Sequence, residues 1–193
     1  LTMPPVVLPV VALLIWFFPV WAFRAKNAKL GGFDQREWPR GRNLALSVFD
    51  AARAWVGADL LMRSLSLVPD WPFPAGWNAQ LWVGMIFGAA LVVQAFVWRN
   101  EDYLMTPVWF VVGALPALVH PHVLLIGLPL GIGAALAIRA WSAGLIGAGV
   151  GVAGVGMVVL AQDWKLSLLI GLSLTLPVFV SMLAGRHLAA PRK

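Results

Sequence analysis

The chain has no cysteine, which excludes disulfides, cysteine-ligated zinc, iron–sulfur clusters and thiol nucleophiles. Charge is also scarce. Only 11% of the 193 residues are Asp, Glu, Lys or Arg, against about 25% in a soluble domain. With 61% of its residues hydrophobic, the chain cannot cover its apolar surface with so few charges. The ten-residue alternation of an outer-membrane barrel is missing. So are HExxH and a Walker lysine, and Ser64, Ser66, Ser167, Ser173 and Ser181 have no histidine at a shared depth. These absences leave an all-α, polytopic integral membrane helical bundle, read as one transmembrane domain over 1–193.

Apolar runs place seven spans, at about 4–23, 43–67, 79–98, 104–119, 123–139, 142–161 and 166–185. Residues 4–23 lack a basic n-region and a small-residue cleavage site, so they read as a retained span and not a signal peptide. Pro9 and Pro19 should kink it, leaving carbonyls for neighbouring helices to satisfy. Residues 104–139 would be roughly 54 Å long as one helix, too long for a single crossing, so His120-Pro121-His122 divides them. Kinks are expected at Pro116 and Pro129. A re-entrant hairpin over 104–139 is the alternative, less favoured because each half has 16–17 residues.

The net charge of +6 does not point to nucleic acid, because the basic residues gather in loops. With the N-terminus outside and the C-terminus cytoplasmic, the inner loops hold Arg24, Lys26, Lys29, Arg36, Arg40, Arg42, Arg99, Arg139, Arg186, Arg192 and Lys193, and the outer loops only Lys165. That is 11 against 1, as the positive-inside rule requires of a bacterial cytoplasmic (inner) membrane protein. If 43–67 lay on the membrane surface instead, the last five of those basic side chains would fall outside. Tryptophans fall at the expected boundaries: Trp71, Trp77, Trp82 and Trp164 outside, Trp21, Trp98 and Trp141 inside, with Trp38 as an anchor in the basic loop.

The second span is the unusual one, carrying Asp50, Arg53, Asp59 and Arg63. A charged residue near the middle of a membrane helix costs roughly 2.5–3.5 kcal/mol. These four must therefore be paired inside a bundle. Asp50 and Arg53 lie about 60° apart around the helix; Asp59 and Arg63 lie about 40° apart on nearly the opposite side. Both are acid-before-base pairs at spacings that let side chains meet. Each pair either fixes helix packing or lines a solute path, and structure is slightly favoured for Asp59–Arg63.

His120 and His122 are chemically able to ligate a metal, a haem or a chlorophyll-type pigment. No carboxylate lies nearby in sequence, so an ordinary interfacial turn is favoured; no cofactor is required. In the sixth span Gly147 and Gly151 form a GxxxG, and Gly144 and Gly154 extend the small surface, which suits close helix packing. The expected partners are the bilayer and other membrane chains, the same or different. The leading expectation is a non-catalytic subunit of a larger membrane assembly. A transporter or channel using Asp50, Arg53, Gln94, Thr106 and Thr175 is second, and an intramembrane enzyme is weakest.

Overall fold

The computed structural model describes residues 7–18, 30–31, 33, 42–67, 79–97, 102–160 and 164–191. Seven helices carry nearly all of them: α1 (Val7–Phe17), α2 (Arg42–Leu67), α3 (Ala79–Val97), α4 (Val108–Leu118), α5 (Pro121–Ile138), α6 (Trp141–Val159) and α7 (Trp164–Leu183). Three are long and apolar enough to cross a membrane: α5, α6 and α7, of 18 to 20 residues with mean hydropathy 1.9 to 2.2. The basic residues Arg24, Lys26, Lys29, Arg36, Arg40, Arg99, Arg192 and Lys193 lie outside the described residues. So do Pro19, Trp21, Trp38, Trp98 and the segment 68–77 with Trp71 and Trp77.

The fourth span departs from expectation. Its first residues are not helical: Tyr103–Met105 form strand β2, and α4 has only 11 residues, Val108–Leu118. At 1.5 Å per residue α4 is about 16 Å long, half the hydrocarbon thickness. Pro107 explains the start, since its preset φ and missing N–H suit the flank of a first turn and not the interior of a helix. The C-terminal tail is a second departure from an all-helical chain. His187–Pro191 form β3, the central strand of a small sheet, antiparallel to β1 (Leu30–Gly31) and parallel to β2. Leu104, Met105, Leu188 and Ala189 are buried in it. Pro9 lies in the first turn of α1, where a missing N–H breaks no helix bond. Pro116 and Pro129 fall inside α4 and α5 as expected, and Pro177 inside α7.

Packing follows small residues. Cβ atoms placed on Gly127, Gly131, Gly144, Gly147 and Gly151 would meet the facing helix of the α5–α6 pair, and one on Gly149 would lie 2.6 Å from the Gly171 carbonyl of α7. Gly84 and Gly88 of α3 rest against Leu169, Ser173 and Leu176 of α7. The surface is apolar: Leu125, Val158, Met182 and Leu183 are all more than 70% exposed. The buried set instead includes Ser47, Asp50, Arg53, Ser64, Gln94 and Thr106. An apolar core that also encloses these polar side chains, under an apolar outer surface, fits contact with lipid.

Candidate functional site: a buried charged cluster at the end of α1

The buried positions of α2 are Ser47, Asp50, Arg53, Ala54, Gly57, Ala58, Leu61 and Ser64, one stripe at three- and four-residue spacing. The opposite face exposes Leu44, Val48, Phe49, Ala52, Trp55 and Val56. Over its N-terminal half, α2 thus turns its charges to the protein and its hydrocarbon outward, an arrangement that suits contact with lipid.

What the charges meet is the C-terminal end of α1. That helix stops at Phe17 because Pro19 disfavours helical backbone at Phe18 and has no N–H to give to the carbonyl of Ile15. Arg53 takes over that task. Its Nη1 donates to the Ile15 carbonyl at 2.6 Å and to the Trp16 carbonyl at 3.0 Å. Its Nε donates to Asp50 Oδ1 at 3.1 Å, and its Nη2 donates to the same oxygen. The guanidinium carbon lies 5.5 Å from the centre of the Phe110 ring, a cation–π contact strengthened by desolvation. Gln94 of α3 adds Nε2 donations to the Trp16 carbonyl at 3.1 Å and the Phe18 carbonyl at 3.5 Å. A helix C-terminus carries partial negative charge. Here it is closed by a cation whose own charge is balanced by Asp50.

Trp16 locks this end in place. It is fully buried, its Nε1 donates to the Ala54 carbonyl at 2.9 Å, and its indole fills the space that Gly57 leaves open. Trp16, Phe87 and Phe110 form an aromatic trio, with centroids 5.8 to 6.2 Å apart. Further along α2 and back along α3 the buried residues include the apolar Ala58, Leu61 and Val83, and the buried Ser64 donates its hydroxyl to the Leu61 carbonyl of its own helix. The polar cluster therefore ends at the trio instead of continuing through the bundle.

The other candidates lie apart. Contrary to the expectation that all four charges are paired inside the bundle, Arg63 Nε meets Asp59 Oδ2 at 2.8 Å on the surface of α2, with the arginine side chain 69% exposed. Such exposed i,i+4 pairs contribute about 0.3–0.5 kcal/mol. Thr175 turns back on its own helix, donating to the Leu172 carbonyl, and does not join Asp50 and Arg53. His120 is the N-cap of α5: its Nδ1 accepts from the His122 amide at 3.4 Å. The two imidazoles lie 5.1 Å apart, and no group of three His, Asp or Glu able to hold a metal occurs among the described residues. Gly144, Gly147 and Gly151 all pack on α5 within the chain, whereas a Cβ at Gly154 would meet nothing. Gly154 thus makes no close approach to another helix among the described residues. Sequence reasoning missed Trp16. The available signal was a tryptophan three residues before a proline, facing a glycine on the charged helix. Comparison of the chain with protein-family models, curated proteins and solved structures finds no match.

Proposed function

We propose that the chain is a non-catalytic integral subunit that packs into a larger assembly in a bacterial cytoplasmic membrane. The observation that carries this reading is the engagement of Arg53 with Asp50 and the end of α1. A transporting or catalytic group must be free to change partners, and this guanidinium is tied to Asp50, Ile15, Trp16 and the Phe110 ring. Beyond it lie the aromatic trio and Ser64, whose hydroxyl is bonded to its own helix, so a through-path has little polar lining.

Seven crossings, with the N-terminal end outside, are part of the same proposal. Strands β1, β2 and β3 come from the segments after α1, α3 and α7. A hydrogen-bonded sheet cannot straddle a bilayer, so these three segments share one face. The charge pattern puts the same three on the inner side. If α3 crossed and α2 did not, β1 and β2 would lie on opposite faces and could not both pair with β3. The sheet does not discriminate between two crossings and a re-entrant pair at α4–α5, since both return the chain to the same face.

Gentle extraction from the native membrane, followed by sizing and mass analysis, tests the subunit reading. A stoichiometric complex with other membrane chains is expected, and a lone monomer would contradict it. The second reading, a small-solute transporter, draws on Gln94 Oε1 and Thr106 Oγ1, both buried with no hydrogen-bond partner among the described residues. The Asp50→Asn and Arg53→Gln variants separate the two. Loss of stability or of co-purifying chains supports the subunit; loss of flux by a stable, assembled protein supports transport.

A further inference from the structure

The Asp59–Arg63 pair lies on the outer surface of α2, and so does Trp55, one turn before Asp59 and 51% exposed. Trp55 and Asp59 point about 40° apart, on one face of the helix. Helix α2 has 26 residues, about 39 Å at 1.5 Å each, so as a crossing it overhangs a hydrocarbon layer of about 30 Å at both ends. Trp55 then sits at the midplane, and Asp59 about 6 Å beyond it. Neither side chain belongs against lipid. Tryptophan favours the headgroup level, where its N–H finds water, and nothing among the described residues accepts from Trp55 Nε1. The Asp59 side chain is 34% exposed and its contact with Arg63 engages Oδ2; a short carboxylate cannot reach the headgroups from that depth. Trp16 shows the contrast, since its N–H donates to the Ala54 carbonyl on the buried face of the same helix.

We infer that this face of α2 is covered within the bilayer by a transmembrane helix of a different chain, which sets uncharged polar side chains (Ser, Thr, Asn or Gln) against Trp55 and Asp59. The inference rests on the subunit reading and the crossing of α2 proposed above. Charge decides the chemistry. Asp59 and Arg63 already neutralise each other, so a lone charge on the partner would enter hydrocarbon uncompensated. Hydroxyls and amides both accept and donate, and so serve an indole N–H and a carboxylate one turn apart. A second copy of this chain does not match. A two-fold axis along the membrane normal keeps equal depths, so Trp55 would face Trp55, donor to donor, and Asp59 would face Asp59, acceptor to acceptor. Lipid tails supply neither donor nor acceptor at this depth.

The test puts the photo-reactive residue benzoylphenylalanine in place of Ala52, which is exposed on the same face, in the full chain in its native membrane. Illumination is expected to join it to one other chain. Sequencing of the adduct by mass spectrometry should place the joined residue in a transmembrane helix, within about two turns of an uncharged polar side chain. Trp55→Leu, and separately Asp59→Leu with Arg63→Leu, should each lower the yield of that adduct about fivefold or more, as loss of a side chain that carries an interface does. Both variants put apolar side chains on an exposed face, so the chain itself should melt as the wild type does. Undiminished joining in both variants, or a joined helix without polar residues, would overturn the inference and leave the subunit reading intact. Joining to a second copy, or to lipid alone while other chains still co-purify, would overturn it in the same way. Loss of the fold in either variant would assign these side chains to packing within the chain and also overturn it. A wild-type chain with no co-purifying chains would overturn the subunit reading as well.

Discussion

Arg53 is the residue whose surroundings explain most. Removing one partner from a buried, hydrogen-bonded ion pair costs about 3–5 kcal/mol, because the other charge is left behind, whereas removing both is milder. Arg53→Gln and Asp50→Asn should each lower thermal stability in detergent, and the double variant should be less than additive. Additive losses would mean that the two side chains do not act as a pair. The glycines give a second contrast at this scale. A Cβ at Gly113 would drive into the Ala51 backbone, which cannot move aside as a side chain can. Gly113→Ala is therefore expected to destabilise by about 1–3 kcal/mol. At Gly154 the space is open, so Gly154→Ala should be neutral or stabilise by roughly 0.5–1 kcal/mol. Melting curves of the two variants check this, and equal losses would contradict the packing described. The acid-before-base spacing of Asp50 and Arg53 was legible in the sequence. Their attachment to α1 was not, because an acceptor carbonyl 38 residues away leaves no mark on side-chain pattern.

At the scale of elements, the early end of α1 and the charges of α2 form one device. If Arg53 stands in for the N–H that Pro19 lacks, returning that N–H should relieve the dependence. Arg53→Gln should cost less in a Pro19→Ala background than in the natural one, as read from a double-mutant cycle; an unchanged cost would show that Arg53 serves Asp50 alone. Helix positions were readable from apolar runs, and α5, α6 and α7 begin and end within about two residues of the expected bounds. The sheet was not readable. β1 has two residues and β2 three, too short for an alternating pattern, and their pairing with a tail more than 80 residues away is decided by tertiary structure. Because β3 is the central strand, deleting 187–191 should unpair both neighbours. Protease cleavage within 24–41 and 98–102 should then accelerate in the truncated chain, and unchanged cleavage would deny the tail that role.

For the whole molecule, composition announced the membrane, and the surface agrees: large apolar side chains face outward while Asp50, Arg53 and Gln94 are buried. The number of crossings is a separate matter, and it turns on whether α2, with its two ion pairs, passes through. The lack of native cysteine makes the decisive measurement simple, since a single introduced thiol is the only one to react. Lys29→Cys and Asp70→Cys flank α2, and each can be challenged with a membrane-impermeant maleimide from either side of sealed vesicles. The expected result is labelling of Lys29→Cys only from the inner face and of Asp70→Cys only from the outer. Labelling of both from the same face would contradict the account, because α2 would not cross and its buried ion pair would need another explanation.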